Sequence, residues 1–419
     1  MEKRVLFILR EYCPKPAPTG VCVQNVQKGL LNLGIRSDIL QFGEGNGCIG
    51  ENEFGKIYSI NSLKLDFDTT NRNTISFYLK KIPLIFKWPI YSYKAIRNCK
   101  DYLVKMALKE NYDAIIGVSL PVETVFAASN SNKFIFYELD SITNNPEYKR
   151  GVKKLYRRRL LRIERALYDK AKLIIHLESN REYYEKKAEY DKYTKKTVYA
   201  DVPNLVEQTC IESADNIESR NASEPKVTIA YFGSLFPDYR SPEYIISVLK
   251  KASESVDLQC TFYSRGACED IIEQNEKDNP QVFSKGGYVE HEKVKRIIQR
   301  TDFLLSIGNM LTGDDYSLPS KVIEYIGSGK PIIHVRGGDN DSAVKYLDKY
   351  GLACIIDPTC DFEYNVRSLV CFLKSKKGMS RCFQEVREVF ENNDPLYTAK
   401  IVERFIINNE HKAFTIIDN

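Results

Sequence analysis

Histidine is scarce in this chain. His176, His291, His334 and His411 are the only four, and no two are spaced as zinc ligands would be. The 11 cysteines, from Cys13 to Cys382, are odd in number and scattered, with no CxxC pair and no cluster at metal-ligand spacing. They read as free thiols in a reducing compartment, and a protein-held transition metal is disfavoured. Long apolar runs are lacking: none reaches the roughly 18 uncharged residues of a membrane span. The opening MEKRVLFILREY has no small-residue cleavage site after its apolar run, so a cytoplasmic protein is expected. Charge of one sign barely prevails, with 61 basic against 56 acidic residues and a formal net of +5. No short repeat or low-complexity tract appears. What is present is globular in kind: 43% hydrophobic and 28% charged residues exclude wholesale disorder, and 419 residues are long for one core.

The first residues read as a strand, a glycine-bearing loop and a helix. Val5 to Leu9 is apolar throughout, as a parallel strand covered on both faces requires. The stretch 13–20 (CPKPAPTG) is too rich in proline for a helix, and Val23, Val26, Leu30 and Leu33 then recur at helical spacing up to Gly34. A second strand at 36–40 completes a βαβ unit whose loop lies where doubly wound sheets bind ligands. Further strands are expected at 113–118, 134–137, 173–176 and 197–202, which gives an α/β parallel sheet over residues 1–206. Residues 207–226 (EQTCIESADNIESRNASEPK) are polar and without apolar periodicity, the best linker candidate. The pattern then restarts with a strand at 227–232, a Gly233-Ser234 turn, a helix at 242–252, and strands at 260–263, 281–283, 303–306, 331–335 and 353–356. Two Rossmann-like domains, 1–206 and 227–390, are the economical architecture.

The most informative stretch is SLPSKVIEYIGSGKPII at 317–333. Ser317 is placed to cap a helix whose first turn holds Pro319, Ser320 and Lys321; Gly327 and Gly329 end it, and Pro331 opens the next strand. Amides at the positive end of such a helix suit an anion. Glu324, one turn beyond Ser320 on the same face, is placed to accept from neutral hydroxyls beside that anion. A phosphate with a diol means a nucleotide.

This string closely resembles the nucleotide-sugar-binding segment of GT-B fold glycosyltransferases of family 4, retaining enzymes that build bacterial surface polysaccharides. YFGSL at 231–235 with YRSPE at 239–243 resembles that family's first C-domain loop, and GYV at 287–289 with His291 and Glu292 its base-contacting loop. FIFYELD at 134–140 and VPNLV at 202–206 resemble its N-domain and linker landmarks. The resemblance implies two Rossmann-like domains facing a cleft, the first for the acceptor and the second for the donor. It also implies a helical segment, 391–419, packing back on the N-terminal domain. Glu324 would then hold the ribose hydroxyls, and Tyr288 with Val289 the base. Arg240 and Arg265 would meet the diphosphate, Gly233 and Ser234 would let the backbone approach it, and Ser317, Leu318, Pro319, Ser320, Lys321 and Gly20 would complete the nucleotide-sugar site. No metal and no cofactor are implied, because guanidinium groups and helix-end amides neutralise the leaving diphosphate. One departure stands out: many members carry a second glutamate eight positions earlier, where this chain has Tyr316. The identity of the donor sugar is left open by it.

Each residue also has a plainer reading. Glu324 could be a solvated helix residue, and Arg240 and Arg265 ordinary surface arginines. Asp140, the candidate catalytic residue at the end of a buried strand, could equally be a turn or N-cap aspartate before Ser141, Thr143 and Asn144. Gly20 could serve turn geometry alone. His176, among Leu173, Ile174, Ile175 and Leu177, reads as a hydrogen-bonded core histidine, and His291 as a helix-start residue.

Two basic segments bear on partners. Residues 146–172 hold 11 basic and 3 acidic residues, with Val152, Tyr156, Leu160, Ile163 and Leu167 forming the apolar stripe of an amphipathic helix. Residues 80–105 hold 7 basic and one acidic residue interleaved with Leu84, Ile85, Phe86, Trp88, Ile90, Tyr91 and Tyr93. Such chemistry suits an anionic membrane surface and peripheral attachment at the inner face, although a solvated helix is the plainer reading of the first. No nucleic-acid module appears. The expectation is a glycosyltransferase passing a sugar from a nucleoside-diphosphate sugar to a hydroxyl of a glycan acceptor, in the family often lipid-linked. The alternatives are a sugar-nucleotide 2-epimerase of the same fold, for which an evident histidine and carboxylate set is lacking, and a non-catalytic partner subunit.

Overall fold

The computed structural model describes residues 2–14, 17–43, 45–60, 89–90, 92–107, 111–144, 156–207, 226–310 and 318–417. The chain forms two compact units: Met1–Pro203 with Asn392–Asn419, and Asn204–Glu391. Residues 208–225, most of the expected linker, lie outside the described residues.

In the first unit the elements run β1 (Arg4–Leu9), α1 (Pro18–Asn32), β2 (Arg36–Phe42), β3 (Asn46–Asn52), β4 (Gly55–Ile60), α2 (Tyr93–Ala107), β5 (Ala114–Ser119), α3 (Val122–Ala128), β6 (Phe134–Glu138), α4 (Arg157–Lys170), β7 (Leu173–Leu177), α5 (Arg181–Glu185) and β8 (Thr197–Ala200). They build a sheet of order β3-β4-β2-β1-β5-β6-β7-β8, parallel except for the β3–β4 pair. Val5 to Leu9 is buried on both faces, which explains its unbroken apolar run. The second unit runs β9 (Val227–Leu235), α6 (Glu243–Ala252), β10 (Leu258–Gly266), α7 (Glu269–Asp278), β11 (Phe283–Lys285), α8 (His291–Arg300), β12 (Phe303–Ile307), α9 (Ser320–Gly327), β13 (Ile332–Val335), α10 (Ser342–Tyr350), β14 (Ala353–Ile356), α11 (Phe362–Lys376) and α12 (Phe383–Val389). Its all-parallel sheet has the order β11-β10-β9-β12-β13-β14. In chain order that is 3-2-1-4-5-6, the Rossmann arrangement, with the reversal between β9 and β12.

The last helix, α13 (Pro395–Ile417), belongs to the first unit. Its Ala399, Val402 and Ile406 join Val23, Val26 and Leu30 of α1 in one hydrophobic core. The helices meet at Gly29, where a Cβ would stand 2.9 Å from the Pro395 carbonyl oxygen and 3.0 Å from Ala399 Cβ.

Three expectations need correction. Helix α1 starts at Pro18, inside the stretch read as loop, because a proline in the first helical turn lacks only an amide that has no partner there anyway. The hairpin β3–β4 was not expected from the sequence: β3 (NGCIGEN) is mostly exposed and polar, without the alternation that marks a half-buried strand. The buried face of α4 is Leu160, Glu164, Leu167 and Tyr168, with Ile163 only half-buried; a carboxylate occupies a place the apolar stripe assigned to an aliphatic residue. Val152 of that stripe, and residues 80–88, lie outside the described residues. Among the described residues no helix is long and apolar enough to cross a membrane.

Candidate donor site

In a doubly wound sheet, ligands bind beyond the carboxyl ends of the strands at the point where strand order reverses. In the second unit that point lies past β9 and β12. Gly233 and Ser234, expected as a turn, are instead strand residues of β9, which runs on to Leu235 because β10 pairs with it that far; the turn after it closes through a bridge between Phe236 and Arg240. The β12 loop is tied to this turn twice: Met310 N–H donates to the Tyr239 carbonyl at 2.6 Å, and Arg240 Nη2 donates to Asn309 Oδ1 at 2.6 Å. Arg240 Nη1 lies 3.5 Å from the Ser234 carbonyl, which anchors the guanidinium over its own turn. Burial pushes the Tyr231 hydroxyl up to about 12, and the Arg240 charge beside it opposes the shift.

Helix α9 docks on the same edge. The buried Tyr325 hydroxyl accepts from the Phe232 N–H at 3.1 Å, so the helix is pinned to β9 one residue before Gly233. The N-cap is Pro319 in an extended conformation, without a side-chain cap. Ser317, expected as the cap, lies outside the described residues. Leu318 is buried, and Pro319, Ser320 and Lys321 are half-buried. Glu324 is only 9% exposed and not a solvated helix residue, and Lys321 Nζ donates to its Oε2 at 2.7 Å. A cation and a buried carboxylate thus stand within the first two turns of a helix whose positive dipole end is at Ser320.

A third group follows β10 and β11. Arg265 and Gly266 end β10, and the Arg265 guanidinium lies 5.2 Å from the centre of the Tyr288 ring. Tyr288 is 65% exposed, a flat ring held at the surface by a charged neighbour; Val289 beside it is half-buried. Gly266 is required here. It has φ +123°, and a Cβ would stand 2.4 Å from the Leu235 carbonyl oxygen, so only glycine lets β10 end against β9.

The two candidates in the first unit fare differently. Asp140 is exposed two residues past β6, and its backbone is fixed by Ser119, whose Oγ accepts from its N–H at 3.3 Å and donates to its carbonyl at 2.7 Å. Gly20 is buried in the first turn of α1 and its φ is not positive, which removes the turn-geometry reading. His176 is buried, and its Nδ1 contacts Glu138 Oε2.

Sequence reasoning missed a polar network behind Asp140. The Tyr184 hydroxyl donates to Glu138 at 2.6 Å and lies 2.8 Å from Ser141 Oγ; Tyr190 donates to Glu164 at 2.6 Å, and Thr143 at 3.0 Å. Burial, then the charge of Glu138, pushes the Glu164 carboxyl up to about 8. Asn309 was missed as well. An asparagine two residues past a buried strand end, after a glycine, is the signal that was available.

The sequence matches no protein-family model and no curated protein. The structure is similar to solved ones. One is WaaG, a glycosyltransferase involved in lipopolysaccharide biosynthesis (12% identity, TM-score 0.56, 95% of this chain and 99% of that one). A second is the catalytic domain of starch synthase IV from Arabidopsis thaliana bound to ADP and acarbose (11%, 0.58, 97% and 99%). A third is a putative UDP-N-acetylglucosamine 2-epimerase from Listeria monocytogenes (8%, 0.58, 98% and 98%). At these identities the likeness is one of fold. Two Rossmann-like α/β units, the second with a 3-2-1-4-5-6 sheet, and these structural neighbours together give the chain the GT-B fold.

Proposed function

We propose that the chain is a metal-independent glycosyltransferase, similar to family 4, that takes a sugar from a nucleoside-diphosphate sugar and passes it to a glycan hydroxyl with retention. The observation that carries this reading is the buried Glu324 carboxylate with Lys321 at the start of α9, on the sheet edge that also bears Arg240. In it, Glu324 takes the ribose hydroxyls, and Arg240, Arg265, Lys321 and the α9 amides take the diphosphate. Gly233 and Ser234 let backbone and phosphate approach, and Tyr288 with Val289 faces the base. As the bond to the sugar breaks, charge grows on the leaving phosphate, and these fixed cations stabilise it without needing a metal or other cofactor. The leaving phosphate assists deprotonation of the incoming hydroxyl, with Asp140 on the acceptor side. The lipopolysaccharide role of WaaG and the ADP and acarbose held by the starch synthase favour a nucleotide-linked donor and a glycan acceptor. A lipid-linked acceptor at the inner membrane face suits the basic surface of the first unit.

The test is a screen of nucleoside-diphosphate sugars for nucleotide release, with and without membrane extract. One donor is expected to release its nucleotide only when acceptor is added, and Glu324→Ala is expected to weaken binding of that donor at least about 10-fold, the loss of a charge-assisted hydrogen-bond pair. Unchanged binding in Glu324→Ala removes the site assignment. A C2-epimerised sugar without transfer favours the epimerase reading, and binding without any turnover the partner subunit.

A further inference from the structure

Among the described residues, Arg240 is a cation held by neutral groups. Its Nη2 donates to Asn309 Oδ1, its Nη1 faces the Ser234 carbonyl, and no carboxylate pairs with it among the described residues. Its buried Nε has no hydrogen-bond partner among the described residues. A guanidinium in this state keeps its full charge for an incoming anion, and the group that aims it must not cancel that charge.

Asn309 is itself rigidly set. Gly308 N–H donates to the Val335 carbonyl at 2.8 Å, continuing the β12–β13 ladder past the strand end. A Cβ on Gly308 would stand 2.3 Å from Asp341 Oδ2, and one on Gly337 would stand 2.3 Å from the Asn309 carbonyl oxygen. The two loops therefore touch backbone to backbone. Asp341 locks them: its Oδ2 is 2.9 Å from His334 Nε2 and accepts from Gly337 N–H at 2.9 Å, while its Oδ1 caps α10 through Ala343 N–H at 3.0 Å. The chain of contacts runs from His334 through Asp341 and the paired glycines to Asn309 and Arg240.

We propose that Asn309 is a positioning residue for the donor diphosphate, its neutral carboxamide fixing the Arg240 fork without neutralising it. This deepens the donor-site reading and rests on it. An aspartate here would hold the fork in the same geometry and offset its charge with a carboxylate; an alanine would free the fork and leave the charge unopposed.

Calorimetry with UDP, ADP and GDP on the full chain, comparing wild type, Asn309→Ala and Asn309→Asp, separates these effects. For whichever nucleoside diphosphate binds wild type, Asn309→Ala is expected to weaken binding about 10-fold and Asn309→Asp about 100-fold, with a shallower salt dependence in the aspartate variant. A merely structural role predicts the reverse order, because aspartate is the closer shape. Equal affinities, or a milder effect of aspartate than alanine at matched unfolding midpoints, overturn the proposal while the donor site stands. If wild type binds none of the three, the donor-site reading fails and this inference with it.

Discussion

Glu164 lies wholly buried on a helix whose other charged residues are exposed or half-buried, satisfied by Tyr190 and Thr143 and facing Glu138, Tyr183, Tyr184 and His176 across the same network. Its folded value of about 8 against the ordinary 4.5 means that folding takes up a proton between those two pH values. Stability from this group is complete below about 4.5 and is lost as pH rises through about 8, at up to about 1.4 kcal/mol per pH unit. Glu164→Gln, which mimics the protonated acid, is expected to flatten the stability profile of this unit over that window. Urea midpoints from pH 5 to 8 check it: the gain over wild type must grow with pH, and a constant difference removes the assignment. At this scale the sequence was a partial guide. Motif spacing pointed to Glu324 and Lys321, and the family resemblance to Arg265 and Tyr288; in the structure Lys321 pairs with Glu324, and the Arg265 guanidinium lies by the Tyr288 ring. Glu164 and Asn309 escaped because their environments come from distant segments: Thr143 and Tyr190 for one, the β9 turn for the other.

Elements were legible where burial alone decides them. Continuous apolar strands and the glycine-ended α9 announce themselves, whereas β3 and the start of α1 depend on an edge hairpin and on proline at a helix start. The pairing of α1 with α13 joins segments more than 360 residues apart, and no local pattern encodes that partnership. It rests on Gly29, where the helices are too close for any side chain. Gly29→Leu must push α13 away and is expected to destabilise the first unit by about 1–3 kcal/mol, the usual cost of overpacking. Gly29→Ala is expected to destabilise as well, because its Cβ meets the Pro395 carbonyl oxygen, but by less than leucine, since the better helix former recovers up to about 1 kcal/mol. Denaturant unfolding of both variants checks this, and a leucine variant as stable as wild type excludes the close contact.

For the whole molecule, the weak net charge hides a strong polarity. Segments 80–105 and 146–172 carry +6 and +8, which leaves the rest of the chain at −9. The described parts of both face solvent: α2 exposes Lys94, Arg97 and Lys105 with Tyr93 (58%) and Val104 (62%), and α4 exposes Arg157, Arg158, Arg162 and Lys170. The Lys100 ammonium is held below its usual value by partial burial and then by the charge of Lys170. Cations around exposed aromatic and aliphatic side chains match an anionic bilayer better than they match bulk water. Reversal of Arg157, Arg158 and Arg162 to glutamate takes segment 146–172 from +8 to +2 and spares the half-buried Arg159. With roughly 1 kcal/mol for each basic residue at such a surface, affinity for phosphatidylglycerol vesicles is expected to fall by about 100-fold or more. High salt should imitate the effect in wild type, and nucleotide binding by the second unit should not change. Flotation with vesicles reads the outcome. Equal flotation of variant and wild type makes this patch an ordinary solvated face and takes the membrane out of the proposed function.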